Sequence, residues 1–383
     1  MRNLFWFLFV TSVIWGTSLP GIDIPLLGTL YPLRIMIILL IVGSFFLKKN
    51  LIRNTGSAKI TYIVWTLILF YGFLTIFWSI DQFRAVTYQI VYVTIFFVII
   101  ICIAFVKDKE HLIVISKSYL INTWIIGVLA IYESFSGNFI YEAGLRYLYT
   151  YNSLGLNTPV LFFYNINNLS TYMAISLPIC YIACENMKFK RFNKLAILLL
   201  CSTVVFLIDS RAALIAIFIF LVLYLTYHFS DVIFQAEVWS IANAFDSDNI
   251  RVRIWTNTLL AAGDWFFIGF GPGNGYLANN MYQFIDTSDI FAIHNYFLEI
   301  LIEFGIFGFV CFMIWFITLF LQLLKKRKVN SNNKYNNYLL LIFLFQYVIL
   351  TVSASSITEM YFIWMIFGLC VASLSFPDEL IKT

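Results

Sequence analysis

Long apolar runs alternate with short polar breaks along this chain, and the runs predict its architecture. A helix that crosses the hydrocarbon core of a bilayer needs about 20 apolar residues, within a range of roughly 17–25. Eleven runs reach or approach that length: 4–19, 30–47, 60–79, 85–106, 112–134, 167–184, 195–209, 212–227, 304–324, 337–353 and 359–376. Two of them, 195–209 and 212–227, are short and are separated by Asp209-Ser210-Arg211. The pattern predicts an all-α polytopic membrane protein of about 11–12 transmembrane helices, a single integral membrane domain over 1–383. A long external loop carrying short helices, 246–300, interrupts the series and holds the candidate site. Arg2 precedes the first apolar run as in a signal peptide, but no convincing cleavage site follows, so a retained first helix is expected.

Composition agrees. Hydrophobic residues make up 61% of the chain and charged residues 11%, where a soluble domain carries roughly 25% charged. The net charge of +4 is what basic cytoplasmic loops produce and implies no nucleic-acid partner. The six cysteines lie in apolar runs without a CxxC pair, which predicts buried small hydrophobes rather than a metal site or disulfide framework.

Charge then sets sidedness. Cytoplasmic loops are enriched in basic residues, and four clusters qualify: Lys48, Lys49, Arg53 and Lys59; Lys107 and Lys109; Lys188, Lys190, Arg191 and Lys194; and Lys325, Lys326, Arg327 and Lys328. Beyond Lys194 a parity problem arises. Two short helices return the chain to the cytoplasm near His228, yet the span 304–324 ends in the last basic run, so the loop before it belongs outside. Either 195–227 crosses once with a re-entrant break, or VIFQAEVWSIANAF (232–245) is a weak span. The last basic run is the stronger signal. The external basic residues are then Arg34, Arg84, Arg146, Arg211, Arg251 and Arg253, with no lysine among them. A guanidinium binds phosphate through a planar fork and keeps its charge. As a set they point to an anionic, phosphate-bearing ligand, although headgroup anchoring explains any single one equally well.

The stretch AIHNYFLEILIEFGIFG (292–308) concentrates the remaining chemistry. On a continuous helix, Gly305 returns to nearly the face of His294, and Gly308 falls within about 40° of it. Both would let another helix backbone approach closely. Asn295, Glu299 and Glu303 form a second stripe, which a helix entering through the membrane interface would also explain. Upstream, Gly269, Gly271, Gly273 and Gly275 allow positive φ and close approach to a ligand, but no GK[ST] follows, so this is not a P-loop. Asp246 with Asp248 and Asp286 with Asp289 read as weak metal signals or as solvated turns. Arg211, with Ser210 at a helix break, either pairs with Asp209 as a structural contact or coordinates phosphate. The loop 135–166, with Tyr141, Tyr147, Tyr149, Tyr151, Tyr164 and Arg146, offers rings and amides suited to sugars. His111 and His228 read as structural.

Taken in order, these residues resemble the bacterial O-antigen ligase and O-antigen (capsule, exopolysaccharide) polymerase superfamily. His294-Asn295, nine residues, Gly305, two residues and Gly308 resemble its HNx9GxxG motif. Arg251 four before Trp255, followed by the glycine run, is similar to its R-x3-W…GxG segment, Ser210-Arg211 to its SR helix break, and Asn167 or Asn168 to its Asn-containing helix start. The family's extra span between the SR break and the R-x3-W segment has only 232–245 to match it here.

The resemblance implies an enzyme that joins undecaprenyl-diphosphate-linked glycans at the outer face of the bacterial cytoplasmic membrane. Arg211, Arg251 and Arg146 would stabilise charge developing on the diphosphate. His294 would accept the proton of the incoming sugar hydroxyl, oriented by Asn295 or Glu299. Arg253, Asn168 and Glu359 would contact substrate. Neither cofactor nor metal is called for, since arginines can replace one. The expected partners are the lipid-linked oligosaccharide and membrane lipid, with a chain-length regulator and a flippase nearby. A repeat-unit polymerase is the leading reading and a ligase acting on lipid A core or another acceptor its rival. A lipid-glycan transporter fits less well, because no internal repeat is visible and the charges collect at one face.

Overall fold

A computed structural model of the chain describes residues 2–376 apart from 25–27, 47–52, 54, 142–150, 164, 229–249, 266, 288–289, 327–332, 353 and 355–356. The helices are α1 (Arg2–Trp15), α2 (Pro32–Phe46), α3 (Gly56–Thr75), α4 (Gln82–Phe105), α5 (Lys109–Ser136), α6 (Ile166–Glu185), α7 (Lys190–Leu207), α8 (Arg211–His228), α9 (Ile250–Asp264), α10 (Gly275–Met281), α11 (Tyr296–Lys326), α12 (Lys334–Leu350) and α13 (Tyr361–Leu374). All but α9 and α10 coincide with the eleven apolar runs. The protein is an all-α polytopic membrane protein, with one antiparallel pair of three-residue strands (Ile22–Ile24 and Gly28–Leu30) between α1 and α2. Among the described residues, the helical stretches Gly56–Trp78, Gln82–Phe105, Lys109–Ser136 and Tyr296–Lys326 are long and apolar enough to cross a membrane.

Local chemistry sets the helix ends. Asp81 accepts the Arg84 amide (2.9 Å) to open α4, Asp108 the His111 amide (2.9 Å) to open α5, and Asn165 the Asn167 amide (2.8 Å) to open α6. Gly137, at φ 69°, closes α5.

Burial sorts the helices into two kinds. α6, α12 and α13 are wrapped by the others and bury most of their side chains, some of whose polar groups bond between helices. Gln346 on α12, for example, donates to the carbonyls of Ala174 (3.1 Å) and Ala216 (3.0 Å). Outer helices such as α3 expose large apolar side chains, Phe70 and Phe73 among them, as expected of a surface that meets lipid tails.

The two ends of the bundle differ in charge. At one end lie Arg53, Lys59, Lys107, Lys109 and the Lys190–Lys194 turn, tied together by Arg53, which donates to Val106 O (3.0 Å) and Ser375 O (3.0 Å). At the opposite end lie Arg34, Arg84, Arg211, Arg251 and Arg253, where the segment from α9 to the start of α11 covers the bundle. We call these the lysine end and the arginine end. The parity problem resolves onto one segment. α8 finishes at the lysine end, with Tyr338 donating to Leu223 O (2.6 Å), whereas α9 starts at the arginine end, with Arg251 donating to Val352 O (3.2 Å). The α7–α8 pair therefore runs the length of the bundle twice, and the described flanks His228 and Ile250 lie at opposite ends. The weak span expected at 232–245 lies outside the described residues.

Candidate functional site

The arginine-end cover is a folded layer rather than a slack loop. Ala261, Phe270, Ala278, Ile293 and Ile302 form a small core of their own. Side-chain amides tie its strands of chain together: Asn257 exchanges bonds with Ile285 (2.7 and 2.9 Å), and Asn279 donates to Phe291 O (3.1 Å).

His294 sits at the edge of this layer. The continuous helix expected across 292–308 is corrected in two places. α11 begins only at Tyr296, and His294 precedes it with φ 50°, a left-handed conformation uncommon for a residue with a side chain. Asn295 is the helix cap, its Oδ1 accepting the amides of Phe297 (3.1 Å) and Leu298 (3.4 Å). The expected role for Asn295 as an orienter of ring or acceptor must therefore share a side chain whose carbonyl is already engaged. Trp255 on α9 donates its indole N–H to Ile293 O (2.9 Å), directly before the histidine. Tyr296 N–H donates to Thr351 O at the end of α12 (3.3 Å), and Arg251 holds Val352 O on the same turn. The R-x3-W segment thus clamps the histidine turn from one side while its arginine reaches the adjoining turn of α12. Burial lowers the Arg251 pKa from its ordinary value, but a guanidinium still stays charged.

The second correction concerns the glycines. α11 unwinds at Gly305 (φ 61°, ψ −168°), so Gly305 and His294 do not share a helix face. The break is made by the glycine run. Phe270 N–H donates to Ile302 O and Gly271 N–H to Glu303 O, both at 2.9 Å, so a short stretch of loop pairs with the opened helix. A Cβ on Gly305 would meet Phe267 O at 2.7 Å, and one on Gly269 would strike the Gly305 amide. Gly269, Gly271 and Gly273 do take positive φ, as expected. The close approach they permit is to α11 at Gly269, to Ser79 at Gly271 and to the Tyr88 ring at Gly273.

Glu303 is buried, which corrects its reading as a residue of the membrane interface. Its carboxylate accepts from Tyr92 Oη (3.2 Å) and lies against the backbone N–H groups of Gly273 and Gly275. Arg84 donates to Gly273 O (2.5 Å) and stacks over Tyr88 (5.2 Å) and Tyr276 (5.8 Å). Tyr88 bonds to Glu359, which stands exposed on the turn before α13. Tyr88 and Tyr92 were not singled out from sequence, Arg84 was read only as one of the external arginines, and Glu303 only as part of the stripe with Asn295 and Glu299. Their signal was available: polar residues every fourth position in apolar helices, at 84, 88 and 92 on α4 and at 295, 299 and 303 on α11, mark two faces that meet.

The remaining expectations divide. Arg253 is half-buried on α9 near Arg251. Arg211 is exposed at the start of α8, and the pairing with Asp209 considered from sequence is overturned: Asp209, at φ 56°, accepts Ser153 N–H (2.7 Å) and Oγ–H (2.9 Å) instead. Asn168 donates to Phe163 O (3.3 Å) and lines, with Arg34 and Glu359, a cavity of about 180 Å³. Arg146, Asp246, Asp248 and Asp289 lie outside the described residues. Among the described residues no group of three His, Cys, Asp or Glu side chains could hold a metal.

Two comparisons bear on this geometry. Residues 228–313 match the Wzy_C family, described as O-antigen ligase. That span takes in Arg251, Trp255, the glycine run and the whole of His294–Gly308. The chain is also similar to the teichuronic acid biosynthesis protein TuaE of Bacillus subtilis (strain 168), 22% identical over 350 residues that cover 80% of this chain and 69% of the relative.

Proposed function

We propose that this chain, a member of the O-antigen ligase and polymerase superfamily, is a polysaccharide repeat-unit polymerase. It transfers a glycan from undecaprenyl diphosphate to a sugar hydroxyl of a lipid-linked repeat unit. The arginine end faces outward from the cytoplasmic membrane, because the lysine clusters mark the opposite end as cytoplasmic. The supporting observation is the convergence of α9, the His294 turn and the end of α12, which brings Arg251 and His294 into one small region.

Each group has a task. Arg251 stabilises the charge that grows on the diphosphate as the glycosidic bond breaks. Arg253 and Arg211 add positive potential at the same end. His294, as neutral imidazole, takes the proton of the attacking hydroxyl. Its left-handed backbone is the strained, over-determined kind of position that accumulates at reacting centres. Arginines supply the charge stabilisation, so no metal enters the scheme. A flippase and a chain-length regulator are its expected partners.

A ligase is the second reading, since the matching family is described as O-antigen ligase, while the name of the teichuronic acid biosynthesis relative specifies no reaction. The two separate in cells lacking the gene and complemented with His294→Ala or Arg251→Ala, with glycan length read on a gel. Loss of the ladder with single-unit product retained identifies a polymerase, and loss of all acceptor-linked glycan a ligase. Wild-type ladders from both variants would sink the mechanism.

A further inference from the structure

The cavity of about 180 Å³ at the arginine end is built differently from the His294 region. It is lined by residues of α1, the turn at 16–18, α2, α4, the turn at 161–163, the start of α6, the turn before α13 and the start of α13. One wall is aromatic. Trp15 stacks on Phe162 (centroids 4.5 Å, planes 24° apart), and Phe162 on Phe163 (4.6 Å, 21°). The Trp15 indole N–H is already given to Asn122 (2.9 Å), so the ring is fixed in place. The other wall is polar, with Ser18, Arg34, Asn168 and Glu359.

A buried carboxylate holds the aromatic wall in position. Glu133, at the end of α5, accepts N–H donors from Ile140 (2.9 Å), Val160 (3.1 Å) and Leu161 (3.0 Å), the last in a left-handed conformation at φ 51°. Burying a carboxylate is costly without such partners. Here the three donors fix the backbone immediately before Phe162 and Phe163. A wall fixed in advance lowers the ordering cost of binding.

We infer that this cavity binds one glycosyl unit of a substrate glycan, its ring face against the Trp15–Phe162–Phe163 wall and its hydroxyls toward Arg34, Asn168 and Glu359. The size and the two-faced lining fit a compact amphiphilic ring rather than a lipid tail. Charge separates it from the diphosphate. The lining pairs one guanidinium with one carboxylate, so an anion gains little there, whereas hydroxyls find both donors and acceptors. The inference rests on the transferase reading and assigns the sugar to a place distinct from the reacting groups.

The test uses the full chain in lipid nanodiscs. Ser18→Phe fills the cavity from the rim, and Asn168→Leu removes a polar contact with little change of size. Each variant is first checked for a wild-type gel-filtration profile and melting temperature, and whichever passes carries the test. Expected is a rise of about tenfold in KM for the donor or the acceptor glycan, with kcat within about twofold of wild type; the substrate affected identifies the occupant. Saturation-transfer NMR with methyl glucoside, methyl N-acetylglucosaminide and methyl glucuronide should give a signal that the variant loses and His294→Ala keeps. Unchanged KM for both glycans would overturn the inference, as would displacement of the glycosides by inorganic pyrophosphate. If His294→Ala turns over normally while the cavity variant shifts KM, the catalytic assignment fails and the cavity stands.

Discussion

The two ends of the bundle use their cations in opposite ways. At the lysine end, Lys190, Lys194 and Arg53 are held by partners within the bundle. Glu185 accepts Lys190 (2.7 Å) and also pairs with buried Lys194, which in addition donates to Tyr335 Oη (2.9 Å) and lies over the Tyr181, Tyr224 and Tyr335 rings at 5.0–5.6 Å. Arg53 spends its fork on carbonyls that end α4 and α13. At the arginine end, Arg84 and Arg251 also reach carbonyls, but those carbonyls belong to the loop and turn that frame the candidate site. A cation whose partners are a carboxylate and three rings is a fastener. Arg251 instead joins α9 to the turn that ends α12, beside a left-handed histidine.

Substitutions at four positions would break or sharpen that contrast. Arg251→Ala should lower turnover by about 10²–10³-fold, the size typical of removing a donor from developing charge, and Arg251→Lys should recover little of it. The measure is polymer formed per folded molecule in nanodiscs; normal turnover would erase the distinction between the ends. Gly305→Ala comes next. It places a side chain at φ 61° against Phe267 O, and such backbone strain costs about 1–3 kcal/mol. A lower melting temperature together with a lower kcat is expected, because the same pairing carries the glycine run; a stable, active variant would show that the helix break is dispensable.

Lys194→Met should act on stability alone, by about 1.5–3 kcal/mol for lost charged hydrogen bonds. Thermal denaturation should report the loss while turnover per folded molecule stays near wild type, and a proportionate fall in turnover would mean that the lysine end reaches the site. Arg53→Lys is the mildest, about 1 kcal/mol, since an ammonium cannot span two helix ends as a fork does. Its melting curve should shift less than that of Lys194→Met; a larger shift would reverse the ranking of the two fasteners.

Much of the fold was legible because its signal is one-dimensional. Apolar runs long enough for a bilayer and basic residues between them are local properties, and the eleven runs map onto helices one by one. The parity problem was likewise detectable from charge alone, and the residues flanking 229–249 lie at opposite ends. The site was legible only in part. His294, Arg251 and the glycines stand out because histidine, arginine and glycine are expensive or unusual in such a chain, but helix arithmetic misplaced their relation. It assumed one uninterrupted helix, and it could not know that Asn295 caps or that the glycine run opens α11 at Gly305.

What the sequence determined by itself was therefore the membrane architecture, the separation of lysine from arginine, and the identity of the unusual residues. Tertiary structure alone decided which of them meet. Arg84 touches the glycine run 189 residues away, and Tyr92 meets Glu303 across 211 positions. The physical reason is that hydropathy and charge act on each segment independently through the bilayer, whereas hydrogen bonds between distant segments depend on how every intervening helix packs.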